Sequence, residues 1–381
     1  MEDLGIGQKF TNPRQVRPLA EVSGSYTYFA EGDVLLAKIT PCFENGKLGI
    51  ATGLSNAVGF GSSEYVVFRP GELVDREWLY YFLSRQSFRQ EGATRMTGAV
   101  GHKRVAMEFI EAHPIPLPPI PEQKRIVAIL DEAFEGIDAA IANTEKNVAN
   151  ARELFDNHLT SIFAERGKGW LERRIGDIAN TQYGLSEKMN EDRQGYKIFR
   201  MGEVQGGRLI DTGDMKYADI TREEFLKYKL HPGDVLFNRT NSYDLVGKTG
   251  IYDMSGDYCF ASYLVRLEAD RTALTPAFLN YFMNSSVFQR SVKQKASRSI
   301  NQANINATIL SNEPIFLPQA VADQVAIVRE LDGLSSQTQR LQGLYQDKLA
   351  FMSGLKQSIL RKAFAGELTA HPEKALQEAA E

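Results

Sequence analysis

The chain has 381 residues, 43% of them apolar and 24% charged, with a net charge of −4. That length suits two or three domains with sizeable cores, and the balance excludes a globally cationic binder, so any nucleic-acid surface must be a local patch. Cys42 and Cys259 are the only cysteines, which excludes a disulfide framework and a zinc cluster and fits a reducing cytoplasm. Met1-Glu-Asp-Leu4 is neither a basic nor an apolar leader, and no apolar run approaches membrane length. A cytoplasmic chain with no membrane partner is therefore expected.

In chain order, Gly32-Asp33 reads as a turn feeding a strand from Val34 to Ile39, Tyr65 to Phe68 as a second strand, and Glu77 to Ser84 as a helix with an aromatic inner face. The stretch from Pro114 to Ile162 organises the rest. Its first part, Pro114-Ile-Pro-Leu-Pro-Pro-Ile-Pro121, is too rich in proline for helix or sheet interior and predicts a stiff, extended strap. Pro121 and Glu122 then suit the first turn of a helix. Apolar residues follow every seven positions, Val127, Phe134, Ile141, Val148, Phe155 and Ile162, with a second row at Leu130, Ile137, Thr144, Ala151 and His158. That is the a/d seam of a coiled coil.

Trp170 to Ile178 opens a second globular stretch, with strands at Asp234 to Phe237 and Tyr263 to Leu267 and a helix from Pro276 to Asn284. A second seam runs from Val321 to Ala363 through Ile327, Leu331, Leu334, Thr338, Leu341, Tyr345, Met352, Leu355 and Ile359, with Lys348 at a seam position. Each helix is about 60 Å long at 1.5 Å per residue. Since a large domain joins them, the two are expected to pair antiparallel.

The chain is one unit written twice. Gly32-Asp-Val-Leu-Leu36 returns as Gly233-Asp-Val-Leu-Phe237, Gly46-Lys-Leu-Gly-Ile50 as Gly247-Lys-Thr-Gly-Ile251, and Trp78-Leu-Tyr-Tyr-Phe82 as Phe278-Leu-Asn-Tyr-Phe282. Pro114-Ile115 and Leu117-Pro118 return as Pro314-Ile315 and Leu317-Pro318, and Leu130-Asp131 as Leu331-Asp332. The fold class implied is α+β (mixed α/β): two globular domains in pseudo-two-fold repeat, separated by two long antiparallel coiled-coil helices. The expected boundaries are 1–120 for the first domain, 121–166 for the central helix, 170–318 for the second domain, 321–366 for the C-terminal helix and 367–381 for a tail. Met1 falls on Met201 in the repeat, so the first copy is expected to be truncated at its start.

No catalytic constellation stands out. There is no methyltransferase motif of the Asn-Pro-Pro-aromatic kind, no phosphate-binding loop, and the histidines at 102, 113, 158, 231 and 371 form no ligand pair. The nucleic-acid signal is local. Arg290, Lys293, Lys295 and Arg298 cluster in a stretch free of acids, followed by Asn301, Gln302, Asn304 and Asn306; cations suit phosphates, and amides can pair with the adenine edge. The first copy echoes this with Arg95, His102, Lys103 and Arg104. A second candidate is the loop after the Gly-Asp strand: Arg239, Asn241, Ser242 and Lys248, with Lys38, Asn45 and Lys47 in the first copy. A solvated basic face and a plain Asn/Ser turn are the competing readings.

The repeat, the Gly-Asp-Val-Leu turn, the Pro118-Pro-Ile-Pro-Glu-Gln123 strap, the Trp170 opening and the tail Leu360-Arg-Lys-Ala-Phe-Ala-Gly-Glu-Leu368 together resemble the specificity subunit of type I restriction–modification systems. The resemblance covers nearly the whole chain. It implies two target-recognition domains, each reading one half of a bipartite site in double-stranded DNA, with the helices as spacer and as docking surface for methyltransferase (modification) subunits, two of them. Restriction/translocase subunits would join through the complex. The chain itself would be non-catalytic and without cofactor, S-adenosylmethionine, ATP and Mg belonging to the partners. A recognition subunit of a bifunctional type II-like restriction/methylation system and a non-DNA coiled-coil scaffold are the alternatives.

Overall fold

The computed structural model describes residues 1–22, 24, 26–99, 101–299 and 302–368. They form two compact units: Met1–Lys146 with the chain from Tyr345 onward, and Asn147–Leu344.

The first unit is built on a four-stranded sheet in the order Phe10–Thr11, Leu48–Ala51, Val34–Ala37, Tyr65–Phe68. Alternation along Val34–Ala37 sends Val34 and Leu36 to one core and Leu35 and Ala37 to another, so this strand is buried on both faces. The larger core receives Trp78 and Phe82 from the helix Arg76–Leu83 and Phe88 from the helix Gln86–Thr94. Asp75 starts the first of these helices, its carboxylate accepting from the backbone N–H of Glu77 at 2.9 Å and of Trp78 at 3.2 Å.

The second unit repeats this frame and adds to it. Val235–Asn238 stands between Thr249–Ile251 and Leu264–Ala269 in a six-stranded sheet that ends on Ala179–Tyr183. The helices Pro276–Asn284 and Ser286–Gln294 take the places of the first unit's pair. Gly32 (φ +87°) and Gly233 (φ +99°) make the turn that only glycine adopts easily. The next residue closes it: Asp33 accepts from the Ala30 N–H at 2.7 Å, Asp234 from the His231 N–H at 2.9 Å.

The two long helices run over Ile120–Glu165 and Val321–Phe364, and each unit takes part of both. In the first unit they are antiparallel: Ile126, Val127 and Leu130 share a core with Leu360, Ala363 and Phe364, while Asp138 further along pairs with Lys356. In the second unit Leu159 and Phe163 share a core with Ile327 and Leu331, and His158 meets Glu330 at 2.9 Å. The aromatic ends correspond. Phe364 packs on Trp78 and Phe82 with ring centroids 4.3 and 5.3 Å apart, and Phe163 on Phe278 and Phe282 at 5.3 and 5.4 Å.

A buried glutamine anchors each helix start to its globular part. Gln123 accepts from the Asp75 N–H at 2.8 Å and donates to the carbonyls of Leu73 (2.9 Å) and Pro118 (2.8 Å). Gln324 does the same with the Thr275 N–H (2.9 Å) and the carbonyls of Ala273 (2.8 Å) and Pro318 (3.2 Å). Both side chains are fully buried, so every amide group needs these partners.

One expectation is corrected. Lys348 is exposed while the next residue, Leu349, is half-buried; Leu341 and Leu355 are also exposed, at 39% and 38%. A lysine in a hydrophobic seam would lose its hydration, so the helix turns it outward. The second proline-flanked segment takes a different form from the first. Pro314–Pro318 is a strand, paired antiparallel along its length with Trp170–Arg174. Its counterpart at 114–118 is neither helix nor strand.

Candidate nucleic-acid interface

In the second unit, the loop after the Gly-Asp strand and the polar stretch beyond the basic helix come together as one small sheet. Its strands are Thr240–Asn241, Gln302–Asn304 and Ser297–Ser299, all antiparallel. The register places Ser297, Ser299, Gln302, Asn304 and Thr240 on one face and Arg298, Ala303 and Asn241 on the other. Ala303 is buried and fastens the sheet to the core; Ser297, Arg298, Ser299 and Gln302 are exposed.

The inner end of this ribbon is occupied by internal contacts. Asn304 donates to the Thr240 hydroxyl at 2.7 Å and accepts from the Arg239 guanidinium at 3.4 Å, and Arg239 lies over the Tyr183 ring at 4.8 Å. Asn241 accepts from the Ser242 N–H at 2.8 Å. At the outer end Arg298 lies over the Tyr243 ring, 3.9 Å from its centroid. Beside the sheet, Asn241 and the exposed Lys248 border an open depression of about 490 Å³ that also touches Met201 and Gln205. Asn238, fully buried at the strand end next to Arg239, has no partner for either amide atom among the described residues.

The first unit holds the same hairpin in shorter form. Thr97 and Arg104 form a bridge, as Ser297 and Asn304 do, and Ile39 bridges Arg104 as Thr240 pairs with Asn304. Lys38 and Thr40 join it through the Val105 N–H to Lys38 carbonyl and Thr40 N–H to Lys103 carbonyl bonds, both 2.9 Å. Thr97, Gly98, Ala99, His102 and Lys103 are exposed.

The candidate cations divide into two groups. Several are engaged within the protein. Arg104 grips Glu64 with bonds of 2.6 and 2.9 Å, which holds that carboxyl below its usual range. Lys295 meets the buried Glu313 at 2.6 Å, an acid lying just past the stretch without acidic residues. Arg95 pairs with Glu91 at 2.8 Å, Lys293 donates to the Asp244 carbonyl at 2.9 Å, and Lys47 to the Met1 carbonyl at 3.0 Å. Burial lowers the Lys293 ammonium below its ordinary range. The others are open: Lys248, Arg298, Lys103 and His102 are exposed, as are Asn45 and Ser242, and Arg290 is exposed, its bonds among the described residues going to Ser286 of its own helix. Asn301 lies outside the described residues. Tyr183 and Tyr243, the rings beneath the two arginines, were not candidates from sequence. Tyr243 directly follows Ser242 and could have been suspected; Tyr183 sits in a distant strand with no local mark.

Among the described residues no cluster of His, Cys, Asp or Glu could hold a metal ion, and no helix is long and apolar enough to cross a membrane.

The family description "Type I restriction modification DNA specificity domain" matches residues 6–150 and 167–346. Among curated proteins, the chain is 43% identical over 125 residues to the type I restriction enzyme EcoAI specificity subunit of Escherichia coli, covering 32% of this chain and 21% of that one. It is 43% identical over 228 residues to the EcoEI specificity subunit of Escherichia coli, covering 53% and 38%. It is 25% identical over 365 residues to the EcoKI specificity subunit of Escherichia coli (strain K12), covering 87% and 76%. The match thus spans only about a fifth of the EcoAI subunit's length. Among solved structures, a chain from a type I R-M system superposes with a TM-score of 0.73 at 22% identity, covering 90% of this chain and 84% of that one. The HsdS subunit from Thermoanaerobacter tengcongensis gives 0.50 at 21%, covering 89% and 82%.

Proposed function

The chain belongs to the type I restriction modification DNA specificity family, and from that premise we propose that it is the non-catalytic targeting subunit of a restriction–modification complex, each unit reading one half of a bipartite site in double-stranded DNA. The observation that carries this reading is the repeated hairpin: both units present exposed polar and basic side chains on the same frame, at 97–104 and at 297–304. Two like readers in one chain suit a two-part site, as paired half-sites suit dimeric readers. Lys248, Arg290, Arg298 and Lys103 supply cations for phosphates, and exposed amides and hydroxyls supply groups for base edges.

Methyl transfer and ATP-driven steps fall to partners in this reading. S-adenosylmethionine, ATP and Mg would be held by two modification subunits and by restriction/translocase subunits. The long helices offer these partners apolar groups: Leu154 and Leu344 in the second unit are 62% and 58% exposed, and Phe351 in the first is 69% exposed. Purified full-length chain, incubated with DNA and labelled S-adenosylmethionine, should transfer no methyl group, and addition of modification subunits should produce methylation at a two-part motif. Methyl transfer by the chain alone, or methylation with no defined motif after addition, would overturn the proposal.

A further inference from the structure

The hairpin keeps the pairing at its base between the two units, Thr97 with Arg104 and Ser297 with Asn304, while its outward side chains change. The exposure pattern over residues 91–99 is the same, position by position, as over 291–299. Yet Gly98 stands where the other unit has Arg298, Ala99 where it has Ser299, and His102 where it has Gln302. A surface under selection for packing alone has no reason to hold its exposure and the pairing at its base and exchange an imidazole for an amide. A surface that must read two different sequences with one scaffold does.

We propose that the outer hairpin positions 99/102 and 299/302 hold the side chains that set half-site identity, Gln302 reading an adenine in the second half-site and His102 reading a different base edge in the first. This rests on the reading of each unit as a half-site reader. Several described polar side chains of the ribbon are already occupied, which leaves Gln302 and His102 open. Asn304 spends its amide on the Thr240 hydroxyl and the Arg239 guanidinium, and Arg104 is committed to Glu64. The Gln302 amide and the His102 ring make no hydrogen bond to any described residue, and both are exposed. An amide donates and accepts side by side, which matches the N6 and N7 groups of adenine. A neutral imidazole offers one donor and one acceptor on opposite sides of its ring and cannot make the same pair.

The opposite face has a different task. Arg298 points away from Gln302, since adjacent strand positions alternate, and it is held over Tyr243. With no acidic partner among the described residues, it is placed to meet a phosphate.

The test uses the full chain assembled with its modification subunits. Gln302→Ala and Arg298→Ala are compared by the methylated motif of plasmid DNA and by duplex binding across a salt series. Gln302→Ala should lose preference at one A·T position of the second half-site, with discrimination falling roughly ten- to hundredfold, while the first half-site and the salt slope stay as they were. Arg298→Ala should keep the motif and lower the slope by about one unit. Full discrimination at every position in Gln302→Ala overturns the assignment. If Gln302→Ala fails to assemble, Gln302→His, polar and of similar size, must shift the preferred base, and an assembled His variant with the unchanged motif overturns it equally. A wild-type complex with no two-part motif would instead remove the underlying reading of the units.

Discussion

Glu313 is buried, its side chain 1% exposed, and it is met by Lys295 at 2.6 Å and by the Ser291 hydroxyl at 2.7 Å. Lys248 is exposed, on the rim of the depression beside Asn241. Both lysines read alike in the sequence, yet their environments give opposite expectations. Lys295→Ala strands a buried carboxylate with one hydroxyl partner, so stability should fall by about 1–3 kcal/mol, while the salt slope of DNA binding by the assembled complex stays unchanged. Lys248→Ala should leave the melting temperature in place and lower that slope by roughly one unit, since each lost phosphate contact releases one fewer counterion. Thermal melts and a salt titration on both variants check the pair; an equal slope loss in both would mean that Lys295 leaves Glu313 to meet DNA. The same division shows why the site was only partly legible. Residue type and clustering pointed to stretches that the fold brings together in one small sheet, but which cation has an acid at hand is a matter of tertiary structure. Glu313 lies just outside the acid-free window, and Glu64 is far in sequence from Arg104.

The elements carry a second lesson, about phase. On the first long helix every seam position named from the period is at least half-buried, from Val127 through Thr144 to Ile162. On the second one row holds, Leu331, Thr338, Tyr345, Met352 and Ile359 all being at least half-buried, while its companion row fails beyond Leu334, where Leu341, Lys348 and Leu355 are exposed; with Leu344 and Phe351 also exposed, the helix has two apolar stripes. Hydrophobic spacing cannot say which stripe faces the neighbouring helix and which is left for another chain. Leu331, fully buried, and Leu344, 58% exposed, separate the two. Leu331→Ala should cost about 2–5 kcal/mol of stability by opening a cavity, whereas Leu344→Ala should change stability by less than about 0.5 kcal/mol and weaken assembly with modification subunits. Denaturant melts and co-purification test both; an unweakened complex with Leu344→Ala would take that stripe out of the docking surface. The ribbon at 297–304 was hidden for a different reason. Its strands are three residues long and polar, with no alternating apolar row to mark them. The strand Pro314–Pro318 was hidden by its prolines, which a segment at a sheet edge tolerates.

At the scale of the whole chain, the repeat is what made the architecture legible, and the helices are what make it testable. The chain passes between the two units at 146–147 and again at 344–345, both times inside a long helix. No loop lies at either crossing to absorb a change in helix length. If the units read two half-sites, the undefined gap between those sites should follow the helices. Four residues inserted after Asn147 would lengthen the first helix by about 6 Å, with a little more than one full turn of rotation. At about 3.4 Å per base pair, the gap should grow by roughly two base pairs. Four residues also form a stutter in a heptad pattern, so the second helix needs a matching insertion at its own crossing, next to Tyr345, to keep the inward stripe in step. The readout is the methylated motif of the doubly extended chain in its complex. Both half-site sequences should persist while the gap lengthens, because Gln123 and Gln324 still hold each globular part to its helix start and neither hairpin is touched. A motif whose half-sites change while the gap stays fixed would show that partner subunits, not these helices, set the distance.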